Sequence, residues 1–189
     1  ALEIEMAKSA VSIQKARIEA IKHLSEAQNN LTGKFPKAQL HLVDPEQIII
    51  TDEEEAIQVL KNSRTNDLML GRTSIGPHKS DLQAIYEDKL TLAKDCSTGE
   101  QKAILISIIL ANAKSLAKIN DVSPIVLLDE VSAHLDKNRQ AALYDEICGL
   151  GVQAWMTGTG PELFSELKNK AQFIEVSTID GISELSIAN

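Results

Sequence analysis

Two adjacent carboxylates, Asp129 and Glu130, directly follow the apolar run from Ile125 to Leu128. Ligands of open α/β sheets collect at the carboxyl ends of the strands, so this pair is well placed for chemistry if the run is a strand. An aspartate there can hold Mg²⁺ through the water shell of the ion, and the neighbouring glutamate can accept a proton from an attacking water. An acidic strand end that only faces solvent has the same pattern, so these residues alone leave both interpretations open.

A second stretch with chemical potential is CSTGEQK, from Cys96 to Lys102. Ser97 offers a hydroxyl, and Gly99 lets a ligand approach the backbone closely. The amides that begin the following helix point outward with the positive end of its dipole, which favours a phosphate group. Plain helix capping also explains the stretch, with Ser97 or Thr98 as the N-cap residue and Gln101 as the capping-box partner.

The hydrophobic pattern predicts the elements that must position these groups. It indicates a helix from about Thr98 to Ala117, then a strand from Ile125 to Leu128 that is buried on both faces, as in a parallel sheet. A helix from Lys137 to Cys148 and a strand from Val152 to Met156 follow, with Trp155 expected in the core. Further predicted elements are strands at Asp81 to Tyr86, Leu90 to Ala93 and Gln172 to Val176, a short helix at Pro161 to Leu167, and a final strand after Gly181. This part of the chain is therefore predicted to be α/β.

The beginning of the chain has a helical pattern instead. Apolar and small residues recur at helical spacing from residue 1 to about residue 31, which predicts one long helix. A short strand is expected at Gln39 to Val43, and Thr51 with Glu54 forms a candidate capping box for a second helix. The pattern breaks at Gly71, which predicts a domain boundary there.

Composition limits the functional classes. The chain has 189 residues and a formal net charge of -8, which disfavours a general nucleic-acid-binding surface, although a local basic strip is compatible with it. DNA contact is therefore expected to need residues outside this chain. No apolar run approaches a membrane span, and no signal-peptide pattern is present, so a cytoplasmic protein with no membrane partner is expected.

The Gly33–Lys34 pair raises the question of a phosphate-binding P-loop. That motif needs an earlier glycine five residues before the Gly-Lys pair and a serine or threonine after it. Here Gln28 occupies the first position and Phe35 follows the lysine. The sequence of this chain therefore contains no P-loop.

Taken in order, three motifs resemble those of ABC-type ATPase heads. They are Ser-x-Gly-x-Gln at a helix start, the apolar strand that ends in Asp-Glu, and the run Ser132-Ala133-His134-Leu135-Asp136. They resemble the signature motif, the Walker B strand and the D-loop respectively. The first would grip the γ-phosphate of a nucleotide on the opposite subunit, and the second would serve the nucleotide on its own side.

The resemblance narrows at GRTSIGPHKSDL, from Gly71 to Leu82, which is similar to a Gly-Pro-His-basic-x-Asp-Leu run of the RecF family of DNA recombination and repair ATPases. VQAWMTGTG, from Val152 to Gly160, also resembles that family. The resemblance extends over about Asn66 to Asn189. It implies that residues 71–189 form the C-terminal lobe of an ABC-type head with a mostly parallel sheet, and that residues 1–70 form the end of a helical arm.

The resemblance implies roles for the residues already singled out. Asp129 would help to position Mg²⁺, and Glu130 would be the general base or would position the attacking water. Ser97 and Gly99 would act in trans on the γ-phosphate across a dimer of two heads. The residues implied to support that loop are Gln101 and Lys102.

Five further positions have implied or possible roles. Ser132 and Asp136 would lie at the dimer interface, and Thr159 stands where other ABC ATPases have a switch histidine. His78 and Lys79 are candidates for nucleotide or DNA contact. A Gly-Pro turn with a hydrogen-bonded histidine explains that pair equally well.

The sequence departs from the family pattern in three ways. Glu100 stands where the family more often has glutamine, which adds a negative charge near a phosphate, and Gly160 replaces a common acidic residue after the switch position. The P-loop, the adenine-contacting region and the glutamine-bearing loop of the family belong to a portion outside this chain. This chain alone is therefore expected to be nearly inert as an ATPase.

For the intact protein, the resemblance implies binding of ATP and Mg²⁺, ATP-dependent homodimerisation, and weak, DNA-dependent hydrolysis that acts as a release switch. It also implies binding of duplex DNA near single-strand junctions and action with other recombination mediator proteins in gap repair, replication restart and the SOS response. One alternative is the head segment of another SMC-like repair ATPase. Another is a non-catalytic interaction module in which the acidic pair and the capped helix are structural.

Overall fold

The computed structural model describes residues 2–31, 34–132, 135–167 and 169–188. Four helices and seven strands are assigned in these residues: α1 (Leu2–Asn29), β1 (Ala38–Val43), α2 (Glu53–Leu70), β2 (Asp81–Tyr86), β3 (Thr91–Leu92), α3 (Thr98–Asn120), β4 (Ile125–Leu128), α4 (Lys137–Leu150), β5 (Gln153–Met156), β6 (Phe173–Ile179) and β7 (Ile182–Ala188). Short 3₁₀ segments follow β3 and β5, at Ala93–Asp95 and Pro161–Leu167. The predicted α/β architecture is confirmed.

The strands form three small sheets in the described residues. β1, β2 and β3 form an antiparallel sheet in which β1 and β2 pair along their whole length, so this sheet joins segments on both sides of Gly71. β4 and β5 form a parallel pair with Leu128 opposite Met156, and β6 and β7 form an antiparallel hairpin. The parallel ladder described is thus β4 with β5, and it is the one that positions the acidic pair.

Helix α2 begins one residue later than the sequence predicts. Its N-cap is Asp52, whose carboxylate accepts a hydrogen bond from the Glu55 backbone N–H at 2.9 Å, so the predicted capping box of Thr51 and Glu54 is wrong. Aspartate is a stronger N-cap than threonine, which accounts for the shift. The helix ends at Gly71, as predicted, and that glycine adopts a left-handed φ of 65°.

The main core lies between helices α3 and α4 and one face of the β4–β5 ladder. Val126 and Leu128 point into it and are buried, whereas Ile125 and Leu127 point away and are 61% and 73% exposed. The prediction that this strand is buried on both faces is therefore wrong for the described structure. Trp155 on β5, predicted in the core, lies 53% exposed. The physical reason is that the described helices cover only one face of the ladder.

Helix α1 packs against helices α2 and α3 and strand β1. Ile21 and Leu24 contact a second core cluster that contains Leu40 of β1 and Ile104 of α3. The buried Gln28 side chain accepts a hydrogen bond from the backbone N–H of Ala38 at 2.8 Å, which ties the helix to the start of β1. In the described part of the chain, no helix combines the length and apolarity that a bilayer crossing needs.

Candidate functional site

The acidic pair stands at the carboxyl edge of the parallel ladder. Because Leu128 lies opposite Met156, the next residues, Asp129 and Thr157, come side by side where the two strands end. The Thr157 hydroxyl donates a short hydrogen bond to Asp129 Oδ1 and accepts one from the backbone N–H of Glu130 at 2.9 Å. The predicted position of the pair at a strand end is thus confirmed.

The backbone at Glu130 has an uncommon conformation. Its φ is 47°, in the left-handed region that residues with a Cβ atom rarely occupy. Asp129 and Glu130 are both exposed, so their free carboxylate oxygens can meet a ligand from solvent.

This donor set suits a magnesium ion held through water. No three His, Cys, Asp or Glu side chains come together as a direct metal site among the residues described. Mg²⁺ keeps several of its waters and is commonly bound by only one or two carboxylates together with substrate phosphates. The exposed pair at the sheet edge fits that mode of binding.

Ser97 is the N-cap residue of α3, as the sequence predicts. Its backbone N–H and its hydroxyl both donate to Glu100 Oε2, at 3.1 and 2.9 Å. The predicted capping-box partner, Gln101, is wrong, because the third helical position is Glu100. The Gln101 side chain instead donates to the carbonyls of Lys94 at 2.9 Å and Cys96 at 3.1 Å, which braces the loop before the helix.

The negative charge of Glu100 is balanced within the chain. The residue is only 7% exposed, and its Oε1 lies 2.6 Å from Lys89 Nζ and 3.7 Å from an Arg139 guanidinium nitrogen. The Lys89 ammonium, followed by the hydrogen bonds from Ser97, lowers the pKa of Glu100 from 4.5 to about 2. The departure from the glutamine of the family therefore adds no uncompensated charge beside Ser97.

Arg139 links helix α4 to the start of helix α3. Asp136 is the N-cap of α4 and accepts a hydrogen bond from the Arg139 backbone N–H at 3.0 Å. The Arg139 guanidinium lies 3.5 Å from Asp136 Oδ2 and also faces Glu100. Sequence reasoning missed Arg139. Its helical spacing from Asp136 indicates that pair, but nothing in the sequence indicates the contact with Glu100.

Ser132 and the remaining signature residues have different environments. Ser132 is fully buried; its hydroxyl is hydrogen-bonded to the Tyr144 hydroxyl at 2.8 Å, and its carbonyl accepts from Gln140 Nε2 at 2.6 Å. Its side chain is therefore part of the core between the end of β4 and helix α4. Gly99 and Lys102 are half-buried in the first turns of α3. Residues 133 and 134 of the predicted D-loop lie outside the described residues.

Comparison of sequences gives two informative relatives, both named DNA replication and repair protein RecF. The protein of Mesorhizobium japonicum is 40% identical over 184 residues, covering 93% of this chain and 48% of the relative. The protein of Rickettsia typhi is 41% identical over 180 residues, covering 93% of this chain and 50% of the relative. Over 93% of its length, this chain is a homologue of RecF proteins at about 40% identity. It spans about half the length of the curated relatives it matches, and no family model matches it.

Solved structures agree on the fold. The recombination mediator protein RecF, in a structure described as RecF-ATP in the RecFOR pathway, matches 97% of this chain and 49% of its own length with a TM-score of 0.71 and 20% identity. An SMC ATPase structure matches 95% of this chain and 89% of its own length with a TM-score of 0.55 and 18% identity. The prediction of a RecF-like and SMC-like ATPase-head fold is confirmed.

The segment predicted to contain the switch residue follows β5. Thr157 contacts the acidic pair, whereas Thr159, the residue predicted for the switch position, lies exposed on the next loop. A Cβ atom added at Gly160 would clash with a carboxylate oxygen of Glu162. The Glu162 carboxylate therefore lies beside Gly160.

The Gly-Pro-His run at residues 76–78 forms a tight turn. Gly76 adopts a φ of 145°, and its carbonyl accepts a hydrogen bond from the backbone N–H of Lys79 at 3.0 Å. His78 Nε2 lies 3.1 Å from the Thr73 carbonyl within the same loop. This contact suits the hydrogen-bonded turn histidine that the sequence allowed as one of two interpretations.

Helix α1 holds that turn in place. Gln14 of α1 donates to the Ser80 hydroxyl at 2.7 Å, and Arg17 of α1 donates to the Pro77 carbonyl. From the other side, Asp67 of α2 accepts hydrogen bonds from the backbone and hydroxyl of Ser74, which lower the pKa of its carboxyl. The turn is therefore a junction between the two helices and the strand β2.

Proposed function

We propose that this chain is the signature-bearing and Walker B-bearing part of a RecF-type ATPase, and that the whole protein is an ATP-dependent DNA-binding protein of recombinational repair. The observation that carries the proposal is the Asp129–Glu130 pair, held by Thr157 at the carboxyl edge of the parallel ladder in a RecF-family chain. Polar groups at that edge are where open α/β sheets bind their ligands.

The acidic pair divides the chemistry between two carboxylates. Asp129 would hold Mg²⁺ through water, and the ion when bound offsets negative charge on phosphate oxygens. Only the backbone N–H of Glu130 is hydrogen-bonded to Thr157. Its side-chain carboxylate would accept a proton from the attacking water or orient that water. One carboxylate thus serves the ion and the other serves the nucleophile.

The start of α3 would serve a nucleotide bound to a second subunit. The first-turn amides of a helix have no partners within the helix, and they carry the positive end of its dipole. Ser97 is exposed, and Gly99 leaves the backbone open beside it. Both would contact the γ-phosphate in trans. Gln101 would support them by bracing the preceding loop, and Lys102 lies in the next helical turn. The ion pair with Lys89 holds Glu100 in its place.

The uncovered face of the β4–β5 ladder has a place in the same proposal. Ile125, Leu127 and Trp155 are exposed there, although apolar residues of a sheet are normally covered. The chain spans about half the length of its relatives. The rest of the RecF protein would cover this face and supply the P-loop, which is why this chain alone should not hydrolyse ATP.

At the level of the whole protein, ATP binding would drive homodimerisation, and slow hydrolysis would release the dimer. The dimer would bind duplex DNA near single-strand junctions in the cytoplasm and act with other recombination mediator proteins in gap repair, replication restart and the SOS response. Asp136 would lie at its interface, and Thr159, His78 and Lys79 remain candidates for contact with nucleotide or DNA. These roles rest on family membership.

The test uses the full-length RecF-family protein that contains this chain. Wild type should hydrolyse ATP slowly, with Mg²⁺ dependence and stimulation by duplex DNA. Glu130→Gln should retain ATP binding and lower kcat by about a hundredfold or more. Glu184→Gln, an exposed glutamate on β7, is the matched control and should behave as wild type. Undiminished turnover in Glu130→Gln would refute the assignment.

Action in trans has its own test. Ser97→Arg and Glu130→Gln proteins should each be inactive, but mixed dimers contain one site with both an intact signature and an intact glutamate. Mixing the two proteins should therefore restore activity. If the two groups served the same nucleotide in cis, both sites of the mixed dimer would remain defective and no activity would return.

A further inference from the structure

Thr157 lies at the end of β5, opposite the acidic pair, and its hydroxyl contacts both residues of that pair. The hydroxyl has one proton, which it donates to Asp129 Oδ1, and its oxygen accepts the backbone N–H of Glu130 at 2.9 Å. These two bonds use both the donor and an acceptor position of a single hydroxyl.

The hydroxyl is itself anchored in the sheet. The backbone N–H of Thr157 donates to the Leu128 carbonyl at 3.1 Å, which continues the ladder by one step beyond the paired residues Leu128 and Met156. The Cα of Thr157 is therefore set by the strand register and does not depend on a flexible loop. A side chain whose own position is fixed can orient the groups to which it is hydrogen-bonded.

The first consequence concerns the carboxylate of Asp129. A carboxylate with one oxygen bound to a fixed donor cannot rotate freely about its χ2 angle. Thr157 holds Oδ1, so Oδ2 is the oxygen left to meet a ligand. The orientation of Asp129 is thus set before any ligand arrives.

The second consequence concerns the backbone of Glu130. Its φ of 47° is unfavourable for a residue with a Cβ atom, and such a conformation persists only where its surroundings hold it. The Thr157 hydroxyl accepts the amide proton of this residue, which stabilises the turn. The direction in which the Glu130 side chain leaves the sheet depends on that turn.

We propose that Thr157 is a positioning residue that orients both Asp129 and Glu130 for hydrolysis of the terminal phosphoanhydride bond of a nucleoside triphosphate. The inference rests on the proposed function of the acidic pair and adds a residue to it. It gives the hydroxyl at position 157 a role that the resemblance does not assign, because the resemblance places the switch at Thr159.

The experiment uses the full-length protein and three variants. Thr157→Val keeps the shape of the side chain and removes the hydroxyl, and Thr157→Ser keeps the hydroxyl. Thr178→Val is the matched control, because it removes the hydroxyl of an exposed threonine on β6. Thr157→Val should lower kcat by about 10- to 100-fold, the usual loss for an outer-shell partner, with KM for ATP changed less than about threefold. Thr157→Ser and Thr178→Val should remain within about threefold of wild type.

A second readout needs no nucleotide. The Glu130 amide, measured by hydrogen exchange in the nucleotide-free protein, should exchange faster in Thr157→Val than in wild type or Thr157→Ser. Wild-type kcat or unchanged exchange in Thr157→Val would overturn the inference, as would an equal loss of kcat in Thr157→Ser. A kcat loss in Thr157→Val that only matches a fall in its folded fraction would also overturn it.

The two proposals can fail separately. If Glu130→Gln hydrolyses ATP at the wild-type rate, the proposed function is refuted. If Glu130→Gln is defective and Thr157→Val is not, the proposed function stands and the role of Thr157 is refuted.

Discussion

At the scale of single residues, Glu100 joins three parts of the site through one carboxylate. It accepts hydrogen bonds from the backbone N–H and the hydroxyl of Ser97. It also forms an ion pair with Lys89 in the β2–β3 turn and a longer one with Arg139 in α4. Ion pairs of exposed residues contribute little to stability. Hydrogen bonds to a largely buried carboxylate with several donors are stronger. Its protonation should therefore be visible in the stability of the fold.

Glu100 should make the stability of this chain sensitive to acid. Its folded-state pKa of about 2 lies below the ordinary value of 4.5, so its ionised form stabilises the fold above about pH 4.5. That contribution is lost as the pH falls from about 4.5 towards 2. The free energy of unfolding, measured with urea at several pH values, should therefore differ most between wild type and Glu100→Gln near pH 7. The difference should shrink steadily towards pH 2.

The control for this prediction is Glu19→Gln, which alters an exposed glutamate in the middle of α1. Its difference from wild type should stay small across the same pH range. Parallel pH profiles for wild type and Glu100→Gln would mean that the ion pair and the hydrogen bonds of Glu100 do not stabilise the fold.

At the scale of elements, α2 and α4 begin in the same way. Asp52 and Asp136 each accept a hydrogen bond from the backbone N–H three residues later, at 2.9 and 3.0 Å. This is the standard satisfaction of a free amide at a helix start. Asp136 also has the proposed role at a dimer interface, whereas Asp52 has none. Comparing substitutions at the two aspartates therefore distinguishes the loss of a helix cap from the loss of a dimer contact.

Asp52→Ala and Asp136→Ala should each lower the free energy of unfolding of this chain by about 1 kcal/mol, because each removes an N-cap. Asp52→Ser and Asp136→Ser should recover most of that loss, and urea denaturation measures both effects. In the full-length protein, ATP-dependent dimerisation should weaken in Asp136→Ser and remain normal in Asp52→Ser. Equal dimerisation of both serine variants would leave Asp136 with a capping role alone.

The turn after β5 depends on a glycine for steric reasons. A Cβ atom at Gly158 would lie 2.8 Å from Cζ of Phe164, a ring that packs against the main core. Gly158→Ala should therefore lower the free energy of unfolding by about 1–3 kcal/mol, as overpacking usually does. Thermal or urea denaturation tests this, and Phe164→Leu in the same chain should recover part of the loss.

Gly149→Ala is the matched control for that substitution. Gly149 lies in helix α4, and a Cβ atom there would meet nothing within 4 Å. This change should raise the free energy of unfolding by about 0.5–1 kcal/mol, because alanine loses less backbone entropy in a helix than glycine does. A Gly158→Ala protein as stable as Gly149→Ala would show that Phe164 moves aside freely.

At the scale of the whole molecule, the β4–β5 ladder has a covered face and an open face. Leu128 points into the core and Leu127, the next residue back, is 73% exposed. Exposed apolar residues that are close together mark surfaces that pack against something else. The chain spans about half the length of its relatives, and the remaining half of the protein is the partner proposed for this face.

Leu127→Lys and Leu128→Lys should therefore respond differently in this chain and in the full-length protein. In this chain, Leu127→Lys should change the free energy of unfolding by no more than about 0.5 kcal/mol, whereas Leu128→Lys buries an unpaired charge and should prevent folding. In the full-length protein, both changes should be strongly destabilising. Thermal unfolding compares the stability of the four variant proteins with that of wild type. If Leu127→Lys did not destabilise the full-length protein, the proposed covering of this face would be contradicted.

The sequence by itself determined the local features of this protein. Helix and strand periods, and the breaks at glycine, depend on neighbouring residues, so the strand before Asp129 and the helix that begins after Ser97 were both predictable. The order of the motifs along the chain was enough to indicate the RecF family. The N-cap of α2 was missed by one residue because adjacent Thr51 and Asp52 can both cap a helix.

Tertiary structure alone decided the contacts that give the site its form. The register of β4 with β5 places Thr157 beside Asp129, and the packing of α4 on α3 places Arg139 beside Glu100. It also turned Ser132 into the core and left Leu127 uncovered. These contacts join residues far apart in the chain, and no local pattern encodes which strands pair, in which register, or which faces are covered.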